Sequence, residues 1–329
     1  MWYFSLVLPA LLGVILVYPQ GTPPSSPPQK VIAETKPSGI GSWAEVIEAE
    51  VDSAVVTDPA LRDAIKATGL PWRVRDKGTN IEMLLIPPGE FVMGKSGGDD
   101  EARLFELPAH DVKLTKAFYL GCYEVTQQQY AAIAKANPSQ FAKFQVEAPT
   151  VEALMKEGDT RVEAEKQVQF WVASPPARDA KGKEWPVESV SWDDCAVFCE
   201  KAGFRLPTEA EWEYACRAGT RTPRYGELEE IAWSVKNSNQ KTHAVGTKRA
   251  NALGLHDMIG NVFEWVNDCC STYSADAQTN PQGPSSGSFR VLRGGGWSNY
   301  VNNCRASDRH CGKPVYSSRS FGFRVARIP

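Results

Sequence analysis

The sequence predicts a single domain of the α+β class with little regular secondary structure, placed after a hydrophobic N-terminal segment and a linker. Hydrophobic residues make up 42% of the 329 residues and charged residues 23%, which is ordinary for a chain that buries a sizeable core. The 26 Gly and 10 Trp indicate many turns and aromatic contacts rather than a helical bundle. The formal net charge of −3 offers no basic surplus to neutralise phosphates, so we expect no nucleic-acid partner.

Residues 1–20 are expected to form an export signal or an uncleaved membrane anchor. The run from Trp2 to Tyr18 is apolar apart from Ser5, with no Lys or Arg before it and no clear A-x-A site after it. It is long for the core of a signal peptide and barely long enough to span a bilayer. Under either alternative the protein is exported, secreted or attached to the membrane only through this segment, and its 8 Cys can form disulfides.

Residues 21–70 are predicted to be a linker followed by two short helices that act as a spacer. The stretch from Pro19 to Gly41 is rich in Pro, Ser and Gly, a composition typical of extended linkers. AEVIEAEVDSAVV and DPALRDAIKATG then have the pattern of short helices, and Asp58 caps the second. The globular domain is therefore predicted to cover residues 71–329.

Strand-like and helical segments alternate in the first half of this domain. IEMLLIPPGEFVMG indicates two short strands around a Pro-Pro-Gly turn, and HDVKLTKAFYLGCYEVT alternates as a strand does. Thr126 begins an amphipathic helix that stops at Asn137-Pro138. Residues 140–183 are charged and weakly patterned, so we expect a surface insertion with one helix.

Two capped helices follow the insertion. Ser191, with Asp194 three residues on, resembles a capping box, and its helix is expected to stop at Gly203. Thr208 with Glu211 repeats the pattern and opens a second helix. Beyond it the chain shows turns, short strand candidates and Gly clusters, which completes a mixed domain with much irregular structure.

Seven segments along this domain resemble one family by their order and spacing. They are PGEFVMG, EVTQQQY, PVESVSWDDCAVFC, RLPTEAEWEYACRAGT, GLHDMIGNVFEW, RVLRGGGW and FGFRVAR. They are similar to the motifs of the formylglycine-generating enzymes, also called sulfatase-modifying factors, over about Pro71 to Arg327. The resemblance implies a single, asymmetric C-type-lectin-like domain.

The segment GLHDMIGNVFEW is a candidate calcium site. Oxygen-bearing side chains around a Gly turn can surround a hard cation, with backbone carbonyls completing the shell. The resemblance implies a structural calcium ion held by the side chains of Asp257 and Glu264 and the carbonyls of Gly260 and Val262. The alternative is a turn whose carboxylates cap backbone N–H groups. The segment WSVKNSNQKTHAVGTKRAN lacks the acidic residues of the family's second calcium site, so we expect none there.

The copper chemistry of the family requires two Cys in a C-x4-C arrangement after an R-G-G-like turn, because two thiolates hold Cu(I). Counted from Arg293, the first position is Asn299 and the second is Cys304. Counted back from Arg309 instead, Cys304 lies between the second copper Cys and a nearby structural Cys of the family, so only one Cys is available where the copper site needs two. The amide of Asn299 is a hard, neutral donor that cannot replace a thiolate. We therefore expect no copper centre, and Cys304 is a catalytic candidate only if the copper chemistry survives.

The resemblance also implies a disulfide between Cys216 and Cys304, because Cys216 matches a family Cys bonded to this C-terminal loop. Such a bridge stabilises a fold by about 3–5 kcal/mol. Cys199 matches another family disulfide position, but its usual partner position is Val325. The other Cys have no assignable partner: Cys122, Cys195, Cys269, Cys270 and Cys311. No H-E-x-x-H, G-x-S-x-G or P-loop motif is present.

Two functions of different class remain. The first is an oxidase that converts the Cys of a C-x-P-x-R segment in a sulfatase to formylglycine with O₂. The second is a divergent module without the copper reaction, which binds a protein, peptide or glycan. Polar and aromatic clusters suit recognition, and the residues expected to line this binding face are Arg293, Trp297, Asn299, Asn302, Asn303, Arg305 and Arg309. We favour the second function because Asn299 stands where the first thiolate is needed.

Overall fold

A computed structural model describes residues 40–141, 151–156, 160–166 and 184–329. The hydrophobic N-terminal segment and the linker up to residue 39 lie outside the described residues, as does much of the insertion. Within the described ranges, no helix is long and apolar enough to cross a membrane. Short strands and short helices alternate with long irregular stretches, so the predicted α+β class with little regular structure is confirmed.

Three sheets organise the described residues. The first has the order β1-β2-β3-β6-β12, the second β10-β9-β7-β11 and the third β4-β5-β8. The strands are β1 (Ala44–Glu48), β2 (Arg73–Asp76), β3 (Glu82–Ile86), β4 (Gly89–Met93), β5 (His110–Leu114), β6 (Phe118–Gly121), β7 (Phe263–Cys269), β8 (Gln278–Thr279), β9 (Arg290–Arg293), β10 (Arg309–Gly312), β11 (Phe321–Gly322) and β12 (Ala326–Arg327). The chain ends in the first sheet, because β12 pairs with β6.

The helices begin where the sequence places their caps. Thr126, Ser191 and Thr208 each form a capping box with the residue three positions on, and the Asp58 side chain accepts a hydrogen bond from the N–H of Ala60. The helices whose two ends are described are α1 (Pro59–Ala67), α2 (Gln127–Ala134), α3 (Val151–Lys156), α4 (Trp192–Ala202), α5 (Glu209–Arg217) and α6 (Leu228–Ile231), and residues 161–166 are helical as well. Short 3₁₀ helices cover Leu104–Glu106 and Val301–Asn303.

The interpretation of residues 44–70 as a helical spacer is wrong. AEVIE is the strand β1, which pairs antiparallel with β2, and α1 buries Ile65 in the core. Val56 is fully buried as well. The domain therefore begins before residue 71, and only α1 keeps its predicted conformation. Glu and Ala in AEVIEAE favour a helix locally, but hydrogen bonds to β2 outweigh that preference.

Helix α5 and the strands β7 and β9 pack together in the core. Trp212 of α5 and Trp265 of β7 are both fully buried. Strand β9 lies between β7 and β10. The chain turns sharply directly after β9, so the residues that follow it are held against α5 and β7.

Candidate functional site

The loop of residues 294–304 follows β9 and is shaped by Gly. Gly294 and Gly295 have φ angles of 91° and 74°, which L side chains rarely adopt. A Cβ on Gly294 would lie 2.9 Å from the Met258 carbonyl oxygen, and one on Gly295 would lie 3.1 Å from Cys304 Sγ. Close backbone packing therefore fixes this loop, which then forms the 3₁₀ helix Val301–Asn303.

Three of the predicted binding-face residues are buried arginines that hold the fold, which corrects the prediction. Arg293 is fully buried and forms an ion pair with Glu213. Arg305, also fully buried, donates from Nη1 and Nη2 to the two oxygens of Glu106 at 2.7 Å each. Their guanidinium groups pair with carboxylates inside the protein, because an unpaired buried charge is strongly destabilising. They are not available to a ligand.

Arg309 and Trp297 are also buried, and each is bonded to another part of the protein. Arg309 Nη2 donates to the Glu209 carboxylate at 2.6 Å. Trp297 is 3% exposed, and its indole N–H donates to the Arg319 carbonyl at 3.0 Å. Neither side chain lies on the surface, so the prediction that they line a binding face is wrong as well.

Buried ion pairs also set the charge state of the acids around the loop. Burial alone would raise the pKa of Glu106, but hydrogen bonds from Arg305 and from the N–H of Arg103 hold it below its usual value. Burial raises the pKa of Asp308 to about 7, despite the nearby guanidinium groups of Arg103 and Arg305. The loop is therefore anchored by ionised Glu106, while Asp308 is poorly solvated.

The surface of the loop is formed by other residues, two of which the sequence pattern does not single out. Tyr300 is 72% exposed, and Asn302 is exposed beside it. The Asn299 carbonyl accepts a hydrogen bond from the N–H of exposed Val235 at 3.1 Å, which joins a second segment to this surface. We name these residues the Tyr300 face, with half-buried Asn303 at its margin. The signal for Tyr300 was its position between Asn residues in SNYVNN; nothing local indicated Val235.

The cysteines pair differently from the prediction. Cys216 and Cys304 are free, fully buried thiols, so the predicted Cys216–Cys304 disulfide is wrong. The Cys216 Sγ lies 3.9 Å from the Met258 carbonyl oxygen, whereas Cys304 packs on Gly295. The disulfide that forms joins Cys270 to Cys311, with Cα atoms 6.0 Å apart. It links the end of β7 to β10, a proximity that sheet order creates and sequence spacing does not reveal.

The donor atoms of the loop do not fit a two-thiolate copper centre. Burial raises the pKa of the Cys304 thiol to about 12, so it stays protonated at neutral pH. Asn299 supplies only an amide at the first position. Among the described residues, no group of three or more His, Cys, Asp and Glu is arranged to hold a metal ion.

The predicted calcium set is occupied by protein contacts. Arg324 donates to both carboxylate oxygens of Glu264, at 2.6 and 2.7 Å, and the indole N–H of Trp212 donates to Oε2 at 2.7 Å. Asp257 accepts the N–H of Gly246 at Oδ2, while its buried Oδ1 has no hydrogen-bond partner among the described residues. One donor oxygen is thus free, but Glu264 already neutralises a guanidinium. The arrangement does not fit a calcium ion held by both carboxylates.

The fold and the loop define a class of protein: a mixed α+β domain whose irregular C-terminal loop sits on buried ion pairs. The family model of the sulfatase-modifying factor enzyme 1-like domain matches residues 67–329. The chain belongs to the formylglycine-generating enzyme, or sulfatase-modifying factor, family.

Proteins similar to this chain include a formylglycine-generating enzyme, a protein kinase and a variable protein. The formylglycine-generating enzyme of Streptomyces coelicolor is 34% identical over 275 residues, which cover 73% of this chain and 87% of that enzyme. The serine/threonine-protein kinase pkn1 of Chlamydia pneumoniae is 35% identical over 251 residues; the match covers 75% of this chain but only 38% of that protein. The structure of Treponema denticola variable protein 1 superposes with a TM-score of 0.59 at 28% identity, covering 76% of this chain and 95% of the other.

The thiol assignments predict a peptide map. Iodoacetamide should leave Cys216 and Cys304 unmodified in the native protein, because both thiols are buried and protonated. After unfolding without reductant, both should be alkylated, while Cys270 and Cys311 should be recovered in one linked peptide by mass spectrometry. Cys304→Ser is the matched control and should not change the alkylation of Cys216. A peptide linking Cys216 to Cys304 would contradict the structure.

The dependence of stability on calcium tests whether the predicted ligands Asp257 and Glu264 bind this ion. Because Arg324 already satisfies Glu264, EGTA should change the melting temperature by less than about 1 °C, since only a bound ion contributes to stability by mass action. Differential scanning calorimetry in EGTA, and then with added Ca²⁺, measures this. A fall of several degrees that Ca²⁺ restores, and that Asp257→Asn abolishes, would show instead that these residues bind calcium.

Proposed function

We propose that this protein is an exported formylglycine-generating-enzyme-family domain that does not perform the copper-dependent conversion of Cys to formylglycine and binds a protein or peptide instead. The observation that carries the proposal is the pair of residues at the two copper positions. Asn299 supplies no thiolate, and Cys304 is a fully buried thiol whose pKa burial raises to about 12.

The chemical argument concerns the donor atoms. Cu(I) prefers thiolates, and a thiolate forms only when the protein lowers the cost of the charge. Cys304 has Arg224 and Arg305 nearby, which favour the thiolate, but burial and Asp308 outweigh them. A metal-bound state would have to open this packing and would still have only one sulfur on the loop.

The Tyr300 face supports the binding role. Tyr supplies a large contact area at small entropic cost, and Asn side chains pair with exposed peptide groups. The buried arginines beneath the loop hold its backbone in place, so that a ligand meets a surface that is already ordered. The chain is also similar in structure to a protein that is not named as the enzyme, Treponema denticola variable protein 1.

The alternative is an active oxidase. It is supported by the 34% identity to the Streptomyces coelicolor enzyme over 87% of that enzyme's length. On this alternative, Cys304 would become exposed in the complex with a C-x-P-x-R peptide. The residue types at 299 and 304 favour the binding module.

Export is part of the proposal. The apolar run at residues 1–20 has the composition of an export signal or an anchor. The Cys270–Cys311 disulfide supports an oxidising compartment, because such bridges are rare in the reducing cytosol.

The chemistry is tested by incubating the purified chain with Cu(I), O₂ and a C-x-P-x-R peptide, and reading the peptide by mass spectrometry. The peptide should keep its Cys thiol, because Asn299 supplies no thiolate at the first copper position. The Streptomyces coelicolor enzyme is the positive control. Loss of the thiol with aldehyde formation, abolished by Cys304→Ser, would establish the oxidase alternative.

Binding by the Tyr300 face is tested with random displayed peptides selected on the full chain. For peptides that bind this face, Tyr300→Ala should weaken binding by about tenfold, the effect of losing one interface anchor. Tyr316→Ala is the matched control, because Tyr316 is also exposed but lies outside the 294–304 loop. If no selected peptide depends on Tyr300, this face is not the binding surface.

A further inference from the structure

Strand β4 (Gly89–Met93) has an open edge. It is the outer strand of the sheet β4-β5-β8, and among the described residues no strand pairs with its other side. An unpaired edge presents backbone N–H and C=O groups that can accept another strand.

The register shows which residues of β4 present these groups. Glu90 lies opposite Lys113 of β5, and the Lys113 carbonyl accepts the N–H of Asn280 at 2.9 Å. Asn280 directly follows β8, so the backbone groups of Lys113 face β8 and not β4. In an antiparallel pair, opposite residues face each other or face apart together. The N–H and C=O of Glu90 therefore point to the open edge, and by alternation so do those of Val92.

Gly94, the next residue in this alternation, also directs its backbone N–H and C=O away from β5. The N–H of Gly94 donates to Glu213 at 2.9 Å, and its carbonyl accepts from Arg217 at 2.7 Å. Both partners belong to α5, so two side chains take the place of a neighbouring strand at Gly94. Glu90 and Val92 have no such partners among the described residues, and they remain as a two-residue open edge.

A cleft of about 1010 Å³ adjoins this edge. It is lined by β4, by residues of β5 and β8, and by α5 with the turn that follows it. Phe91 and Tyr214 supply an aromatic surface with ring centroids 5.4 Å apart, and Val92 is 42% exposed. The cleft therefore offers apolar contacts beside the open backbone groups.

The cleft is lined by more unpaired basic side chains than unpaired acidic ones. Lys95 and Arg221 line it, and neither forms an ion pair within the described ranges. The Glu90 carboxylate is neutralised by Lys113 at 2.7 Å. Asp111, the remaining acid, lies on β5 opposite Val92 and is therefore one strand away from the edge.

We propose that β4 accepts an extended segment of a partner protein as an additional strand. Backbone hydrogen bonds to Glu90 and Val92 hold the segment, an apolar side chain contacts Phe91 and Tyr214, and an acidic side chain pairs with Lys95 or Arg221. This recognition mode takes its affinity from main-chain bonds and its specificity from alternate side chains. The site uses no residue of the Tyr300 face, so the two proposals can fail separately.

The test uses random displayed peptides selected on the full chain, followed by synthesis of the enriched sequences. These should alternate β-branched and acidic residues. Val92→Pro removes the outward N–H without removing a β4–β5 hydrogen bond, and should weaken their binding at least about tenfold in fluorescence polarisation, as loss of a main-chain bond in a strand-addition site requires. Val92→Thr keeps the N–H and should bind as the native chain does. Peptide binding should also slow hydrogen exchange at the amides of Glu90 and Val92.

Four outcomes would overturn the proposal. They are enrichment of no peptide of this pattern, unchanged binding by Val92→Pro, dependence of the same peptides on Tyr300 alone, and a dimer of the native chain that Val92→Pro dissociates. If Val92→Pro lowers the melting temperature, the variant with Lys95→Glu and Arg221→Glu decides, since both side chains lie at the surface of the cleft. A loss of affinity of about tenfold for acidic peptides supports the site, and an unchanged affinity overturns it.

Discussion

The rest of this structure depends on the hydrogen bonds and the ion pair that the Glu213 carboxylate forms. Its Oε1 accepts from the N–H of Gly94 and from Arg217, and its Oε2 pairs with Arg293. One fully buried side chain on α5 thereby joins the end of β4 to the end of β9. Removing it would leave the guanidinium of Arg293 buried beside a single remaining carboxylate, that of Glu209 at 3.6 Å, and such losses are among the most destabilising in proteins.

Similar buried ion pairs lie around the 294–304 loop. They explain how so irregular a fold keeps one conformation. Arg305 binds Glu106 from the segment before β5, and Arg324 binds Glu264 on β7. These pairs join segments that are far apart in the chain, where few backbone ladders are available. The loop surface can then vary in its side chains while the buried pairs hold its backbone.

Much of the fold could be predicted from the sequence, because its strongest signals are local. The helix cap at Thr126 and the capping boxes at Ser191 and Thr208 depend on residues at most three apart, and the structure confirms them. The strand β1 was missed because AEVIE has good helix formers, and only pairing with β2 decides its conformation. Family membership was predictable from the order of seven segments, and the match of the family model to residues 67–329 confirms it.

The candidate site was predicted less well, because burial of a charged residue depends on partners distant in the sequence. Arg305 reads as a surface residue until Glu106, 199 positions earlier, is placed against it. Cys270 and Cys311 could not be paired from spacing, since the order of β7, β9 and β10 brings them together. Tyr300 and Val235 form one face only because the Asn299 carbonyl bonds to the second segment.

The Cys270–Cys311 disulfide makes the Tyr300-bearing part of the chain a covalent ring. Its two ends are 41 positions apart, and β9 and the whole 294–304 loop lie between them. A ring of this size restricts the unfolded chain by about 4 kcal/mol on the loop-entropy account. It also means that a single protease cut anywhere between these two cysteines releases no fragment. A domain whose exposed loop is nicked in this way would remain one covalent molecule, with β10 and the C-terminal strands still attached.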